Sequence, residues 1–179
     1  MPIENCEIHP SVKIWHPELV NLYGCKIGER TRIGTFVEIG NGVEIGMDCK
    51  IESHVFIPEG ITICDRVFVG PITVFCNVKH PMKGEEYQKT LICEDVIIGA
   101  GVTILPGVII YKGAFIGAGS VVTKNIESYA KVVGNPAKPL IYLATDCEYF
   151  HFNSSPGMYH WCGVRGDHSL ACKCEDYQK

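Results

Sequence analysis

Large aliphatic or aromatic side chains recur along this chain at every sixth position: Ile27, Ile33, Ile39, Ile45, Ile51, Ile57, Ile63, Val69 and Phe75. A second run keeps the spacing at Ile92, Ile98, Ile104, Ile110, Ile116 and Val122. Ile8, Ile14 and Val20 form a shorter run, one residue out of phase with Ile27. An ordinary alternating strand gives period two, not six. Four residues after each anchor stands a small or β-branched residue, such as Thr31, Val37, Val43, Cys49, Val55, Thr73, Val96, Val102, Ala114 and Ser120. Glycine often follows the anchor directly and recurs three positions after it, at Gly42, Gly60, Gly101, Gly107, Gly113 and Gly119, where it suits a corner of positive φ. A short strand and a corner every six residues bend the chain into triangular coils with the anchors stacked inside. The pattern predicts a parallel β-helix of about six coils.

The repeat fails once. Phe75 and Ile92 are seventeen positions apart, so eleven residues are extra within CNVKHPMKGEEYQKTL. A loop of this length on a regular scaffold points to function, and one protruding loop is expected at about 76–91. Three hexads make one coil of eighteen residues, which sets Glu59 one coil below Asn77, each two positions past an anchor. Glu59, Asn77 and the loop residue His80 are therefore candidates to converge on one edge. Histidine is the side chain best poised to take a proton near neutral pH. Glu59 is placed to orient it or to hold an ammonium group.

Composition narrows the function classes. The chain has 179 residues, 46% apolar and 20% charged, which excludes intrinsic disorder and fits one main core. Sixteen basic against twenty acidic residues give a net charge of −4, so a basic nucleic-acid footprint is not expected. No apolar run reaches membrane-spanning length. The first residues show no basic n-region followed by an apolar h-region, so a cytoplasmic protein with reduced thiols is expected. Six of the ten cysteines precede residue 100 and read as small apolar fillers. Cys76 abuts the candidate site without an evident base of its own, which argues against a covalent route.

The hexads, with IGAGVTILPGVII, FIGAGSVVTKNI and VVGNPAKPL, resemble the left-handed β-helix acyltransferases over roughly residues 8–140. The resemblance implies left-handed coiling, a homotrimer with sites between subunits, and acetyl-CoA as cosubstrate without a metal. FCNVKHP is similar to the active-site stretch of nucleotide-sugar N-acetyltransferases, where Asn77 and Pro81 match. It is similar also to the Ala-Thr-His-Pro stretch of galactoside and maltose O-acetyltransferases, where His80 matches the catalytic base. CKIESHVFIPEGITI favours the first branch, whereas Val78 and Met82 depart from it. The implied activity is acetyl transfer from acetyl-CoA to the amino group of a UDP- or dTDP-linked amino sugar, with acetylation of a sugar hydroxyl, of the galactoside or maltose type, as the first alternative and a non-catalytic β-helix as the second. The resemblance places the pantetheine arm along Gly99, Ala100, Gly117 and Ala118, and the phosphates and adenine near Lys124 and Lys138. His54 is a substrate-side candidate, with Trp15, His16 and Phe36 nearby.

A carbonic-anhydrase-like metal site on this scaffold needs three convergent histidines, but only His54 and His80 lie between residues 17 and 150. The hexads end after VVGNPAKPL, giving a β-helix domain over 1–139 and a Cys-rich cap over 140–179. Cys147, Cys162, Cys172 and Cys174, with His151, His160 and His168, leave a zinc ribbon or a short helix and hairpin open.

Overall fold

A computed structural model describes residues 3–84 and 87–140. One compact unit runs over Met1–Pro139, and a second, Leu140–Lys179, falls almost wholly outside the described residues. The zinc and cap readings of the tail therefore lie outside them too.

Three parallel sheets form the faces of a prism. The first stacks Ile3–Glu4, Asn21–Tyr23, Glu38–Ile39, Phe56–Ile57, Val74–Phe75, Thr103–Ile104 and Val121–Val122. The second stacks Glu7–Ile8, Lys26–Ile27, Glu44–Ile45, Ile61–Ile63, Thr90–Ile92 and Ile109–Ile110. The third stacks Lys13–Ile14, Arg32–Ile33, Lys50–Ile51, Phe68–Val69, Ile97–Ile98, Phe115–Ile116 and Lys131–Val133, and ends on the antiparallel strand Lys138–Pro139. Seven strands in the first sheet make about seven coils rather than six. The surplus comes from Ile3–Glu4, which precedes the first hexad and pairs with Leu22 and Tyr23.

The anchors are in register, as in Ile45 with Ile63 and Ile63 with Ile92, and from Ile27 onward every one is at most 3% exposed. The positions four residues later are equally closed, so each rung contributes two core side chains. Burying one isoleucine is worth about 1.5–3 kcal/mol. The polar members of this inner row find backbone partners: Thr31 Oγ1 donates to Gly46 O at 2.8 Å, and Ser120 Oγ to Gly117 O at 2.6 Å. Of the six cysteines before residue 100, Cys25 and Cys49 are core fillers, while Cys6, Cys64, Cys76 and Cys93 are only partly buried.

The first coil corrects one anchor. Leu22, fully buried, pairs with Ile3 and Ile39, whereas Val20 fills the inner row before it. A 3-10 turn at Pro17–Leu19 lengthens one corner, and the corner at Gly24 is short. Together they produce the one-residue phase shift between Ile8 and Ile27, which pair directly.

Two glycine sets do two jobs. The set three past the anchor has positive φ, as at Gly42 (+68°). The set directly after the anchor lets coils approach. A Cβ on Gly70 meets Ala100 N at 2.6 Å and Gly99 O at 2.8 Å. At the corners between the second and third sheets, non-glycine residues take left-handed backbone and form a charge ladder. Arg30 clasps Asp48 with two bonds of 2.7 Å, and Arg66 clasps Asp95 at 2.6 and 3.2 Å. The Arg66 hydrogen bond holds the Asp95 carboxyl below its ordinary value of 3.8. A carboxylate lowered in the folded state stabilises above its unfolded range and loses that contribution as pH falls through the folded value. Asp95→Asn is expected to lower stability at pH 7 by no more than about 1 kcal/mol for so exposed a pair, read as a slightly lower melting temperature. The gap to wild type should begin to narrow below about pH 4 and close only once the pH falls below the lowered folded value, in a melting series.

Candidate active site

The loop leaves the corner between the first and second sheets. On this edge lie Gly24, Asn41–Gly42, Pro58–Gly60, then the insertion 76–89, and above it Leu105–Gly107. The insertion is slightly shorter than the expected 76–91 because Thr90 and Leu91 already belong to a strand. Its neck is fastened to the coils. Asn77 Nδ2 donates to Glu59 O at 3.0 Å, one coil below. Gln88 N donates to Asn77 O at 2.8 Å, and Thr90 N to Gly60 O at 3.0 Å. The two ends of the loop thus meet over the Glu59–Gly60 corner.

The structure brings Asn77 and Glu59 together, through the Glu59 backbone carbonyl, and leaves the Glu59 side chain facing solvent. His80 is exposed and precedes a 3-10 turn at Pro81–Lys83, closed by Gly84 at φ +65°. Cys76 is partly buried, and burial pushes its thiol up, away from the nucleophilic thiolate.

Beneath the neck are side chains that sequence reasoning missed. Tyr23 Oη donates to Glu38 Oε1 at 3.3 Å. The Tyr23 phenol is raised first by burial, then by the charges of Glu38, Glu59 and Tyr87. Tyr23 ends the irregular first coil, so the hexad pattern gives it no place.

The remaining candidates, Lys124 apart, stand away from this edge. Gly99, Ala100, Gly117 and Ala118 lie at the corner between the third and first sheets, as does His54 lower down. Gly99 and Gly117 face their neighbours: a Cβ on Gly99 meets Ala118 N at 2.6 Å, and one on Gly117 meets the Val133 side chain. Ala100 and Ala118 are exposed, and Gly101 and Gly119 have nothing within 4 Å of an added Cβ. The smooth accessible strip of this corner therefore consists of Ala100, Gly101, Ala118 and Gly119. Below it the corner turns bulky, with Ile72 63% exposed and Phe36 stacked on His54 at 4.8 Å. Trp15 and His16 continue this edge into the first coil, both exposed. Lys124, exposed, shares the loop's edge above it, and Lys138 sits in the final antiparallel strand. Among the described residues, no cluster of three or more His, Cys, Asp or Glu side chains is placed to hold a metal ion.

Three sheets stacked rung by rung, with one long loop at a corner of the described residues, define a parallel β-helix, consistent with the left-handed class that the hexads resemble. The family model "Bacterial transferase hexapeptide (six repeats)" matches residues 24–59 and 89–124, on either side of the insertion. A probable macrolide acetyltransferase of Lysinibacillus sphaericus is 36% identical over 140 residues, covering 76% of this chain and 73% of that protein. The chain belongs to the hexapeptide-repeat transferase family. A putative acetyltransferase of Schizosaccharomyces pombe is 44% identical over 87 residues, and there the chain spans only 42% of the relative's length. In fold, the chain is similar to PerB of Caulobacter crescentus, solved with CoA and GDP-perosamine, at TM-score 0.58 and 21% identity over 77% of this chain and 57% of that one.

Proposed function

We propose that this protein transfers the acetyl group of acetyl-CoA to the amino group of a nucleotide-linked amino sugar, by direct attack on the thioester. The observation that carries the reading is the neck of the loop, where Asn77 and Glu59 are fixed one coil apart at the root of the segment bearing His80. His80 accepts the proton that the attacking amine loses, a contribution of about 10² to 10⁴ in rate. The nitrogen lone pair forms the new C–N bond, the carbonyl oxygen takes the negative charge, and collapse breaks the C–S bond, the leaving thiolate taking the proton held by His80 to depart as CoA thiol. Backbone N–H groups at the glycine-rich corners are candidates to hold the oxyanion, and so is the second N–H of Asn77 Nδ2, since the first is spent on Glu59 O. The raised Cys76 thiol supports attack without a covalent enzyme intermediate.

The pantetheine arm runs past Ala100 and Ala118, with Lys124 and Lys138 for its phosphates. The loop edge and this strip stand on different corners of one chain, which supports a homotrimer in which each loop meets a neighbour's strip. His54 is proposed on the substrate side. That PerB was solved with GDP-perosamine supports the amino-sugar acceptor. A second reading, acetylation of a sugar hydroxyl, is favoured by a galactoside O-acetyltransferase of Lactococcus lactis, 40% identical over 83 residues. Paired UDP- and dTDP-linked amino and hydroxy sugars, assayed with acetyl-CoA for free thiol, separate the two. Thiol release with the amino member alone supports the first reading; release with the hydroxy member alone supports the second.

A further inference from the structure

We infer a second anion site on the lower half of the third sheet, suited to a diphosphate-bearing small molecule. Elsewhere this molecule neutralises stacked charges by alternation. The outward row of the second sheet reads Glu7, Lys26, Glu44, with Lys26 Nζ 3.5 Å from Glu7 Oε2. The corner ladder alternates Arg30, Asp48, Arg66, Asp95. The outward row of the third sheet does not alternate: Lys13 pairs in register with Arg32, and Arg32 with Lys50. Like charges directly opposite on neighbouring strands are destabilising. Only Lys50 is compensated, by Glu52 Oε1 at 2.8 Å. Asp48, beside the row, is taken by Arg30, which also holds Glu29 at 2.8 Å. Lys13 and Arg32 have no carboxylate within ion-pair distance among the described residues; the Lys13 ammonium lies 3.7 Å from the centre of the Trp15 ring.

The row borders a cleft of about 500 Å³ lined by Ser11, Lys13, Arg30, Arg32, Asp48, Cys49 and Lys50. Three cations one strand apart span about 10 Å, which suits one small polyanion. A row of this length suits a diphosphate, whose two phosphates reach cations on neighbouring strands, better than a single phosphate. A membrane surface is read by clusters of about four to eight basic residues, more than this row offers. The net charge of −4 argues against a nucleic acid. Trp15, 50% exposed at the foot of the row, offers a face to a planar group attached to the diphosphate. The site lies away from the loop and does not depend on acyl transfer.

Calorimetric titration of the full chain with inorganic pyrophosphate, ADP, UDP and orthophosphate tests this. Pyrophosphate or the nucleoside diphosphates should bind, and orthophosphate at least tenfold more weakly. Arg32→Glu should weaken that binding at least tenfold, as expected for loss of a charge-assisted contact. The same variant should melt no lower than wild type, because it relieves the like-charge row. Lys26→Glu, on the alternating row, is the control and should bind as wild type. Tighter binding of ADP or UDP than of pyrophosphate, lost in Trp15→Ala, places the base on the indole; equal binding leaves the diphosphate alone as the recognised group. No binding at millimolar ligand, equal binding by orthophosphate, or unchanged binding in Arg32→Glu would overturn the site. An equal loss of acetyl-CoA binding in Arg32→Glu would overturn it as a separate site.

Discussion

His80→Ala is expected to lower turnover at least tenfold while the assembly and the melting temperature stay as in wild type. The side chain is exposed on the loop and is not among the buried residues of the core, so its removal is expected to leave the stacked coils in place. A positioned base is worth about 10² to 10⁴ in rate, and a tenfold loss is the smallest effect that supports the assignment. The loss should fall on kcat more than on KM, because proton removal counts in the transition state and not in ground-state binding. Raising the pH should recover part of the rate by supplying more neutral amine. Near-normal turnover assigns proton removal to another group. Glu59→Ala, beneath the neck, should cost more in rate or substrate affinity than Glu94→Ala on the neighbouring corner; equal effects count against Glu59 as part of the site.

Gly70→Val is expected to have the largest effect on stability. The added Cβ falls 2.6 Å from Ala100 N and from Gly99 C, and these are backbone atoms of the next coil that cannot rotate away. Overpacking costs about 1–3 kcal/mol, and a clash with fixed backbone falls at the upper end, about 3 kcal/mol. For a chain of this size that lowers the melting temperature by about 6–12 °C. Gly42→Ala separates the two glycine roles. Its φ is +68° and nothing lies within 4 Å of its Cβ, so only the left-handed backbone resists the change, at about 1–2 kcal/mol. If the two variants lose equal stability, close approach is not what the glycines after the anchors provide.

The repeat made most of the architecture legible because the core of a solenoid is one-dimensional. Each anchor predicts the next, and the residue four positions on predicts the inner row. The break at Phe75 marked the loop, and eighteen-residue arithmetic put Asn77 over Glu59. Where two irregularities nearly cancel, the arithmetic misled: the long corner at Pro17–Leu19 and the short one at Gly24 hid Leu22 as the anchor of the first coil and promoted Val20. Partner atoms were beyond spacing. Asn77 reaches the Glu59 carbonyl, not its carboxylate, because the side chain continues the backbone ladder across the loop's neck. Gly99 and Gly117 are small because the next coil presses on them, and the open strip belongs to the residues beside them. The Tyr23–Glu38 contact arises in the one coil that departs from the period.

The central claim is that this β-helix uses acetyl-CoA. The most direct measurement is a calorimetric titration of the full chain with acetyl-CoA, alongside an Ala118→Trp variant that covers the strip between Ala100 and Gly119. The account predicts saturable binding, one coenzyme per chain, that the tryptophan abolishes without lowering the melting temperature. A flat titration of the wild-type protein contradicts it and leaves a β-helix with no acyl donor.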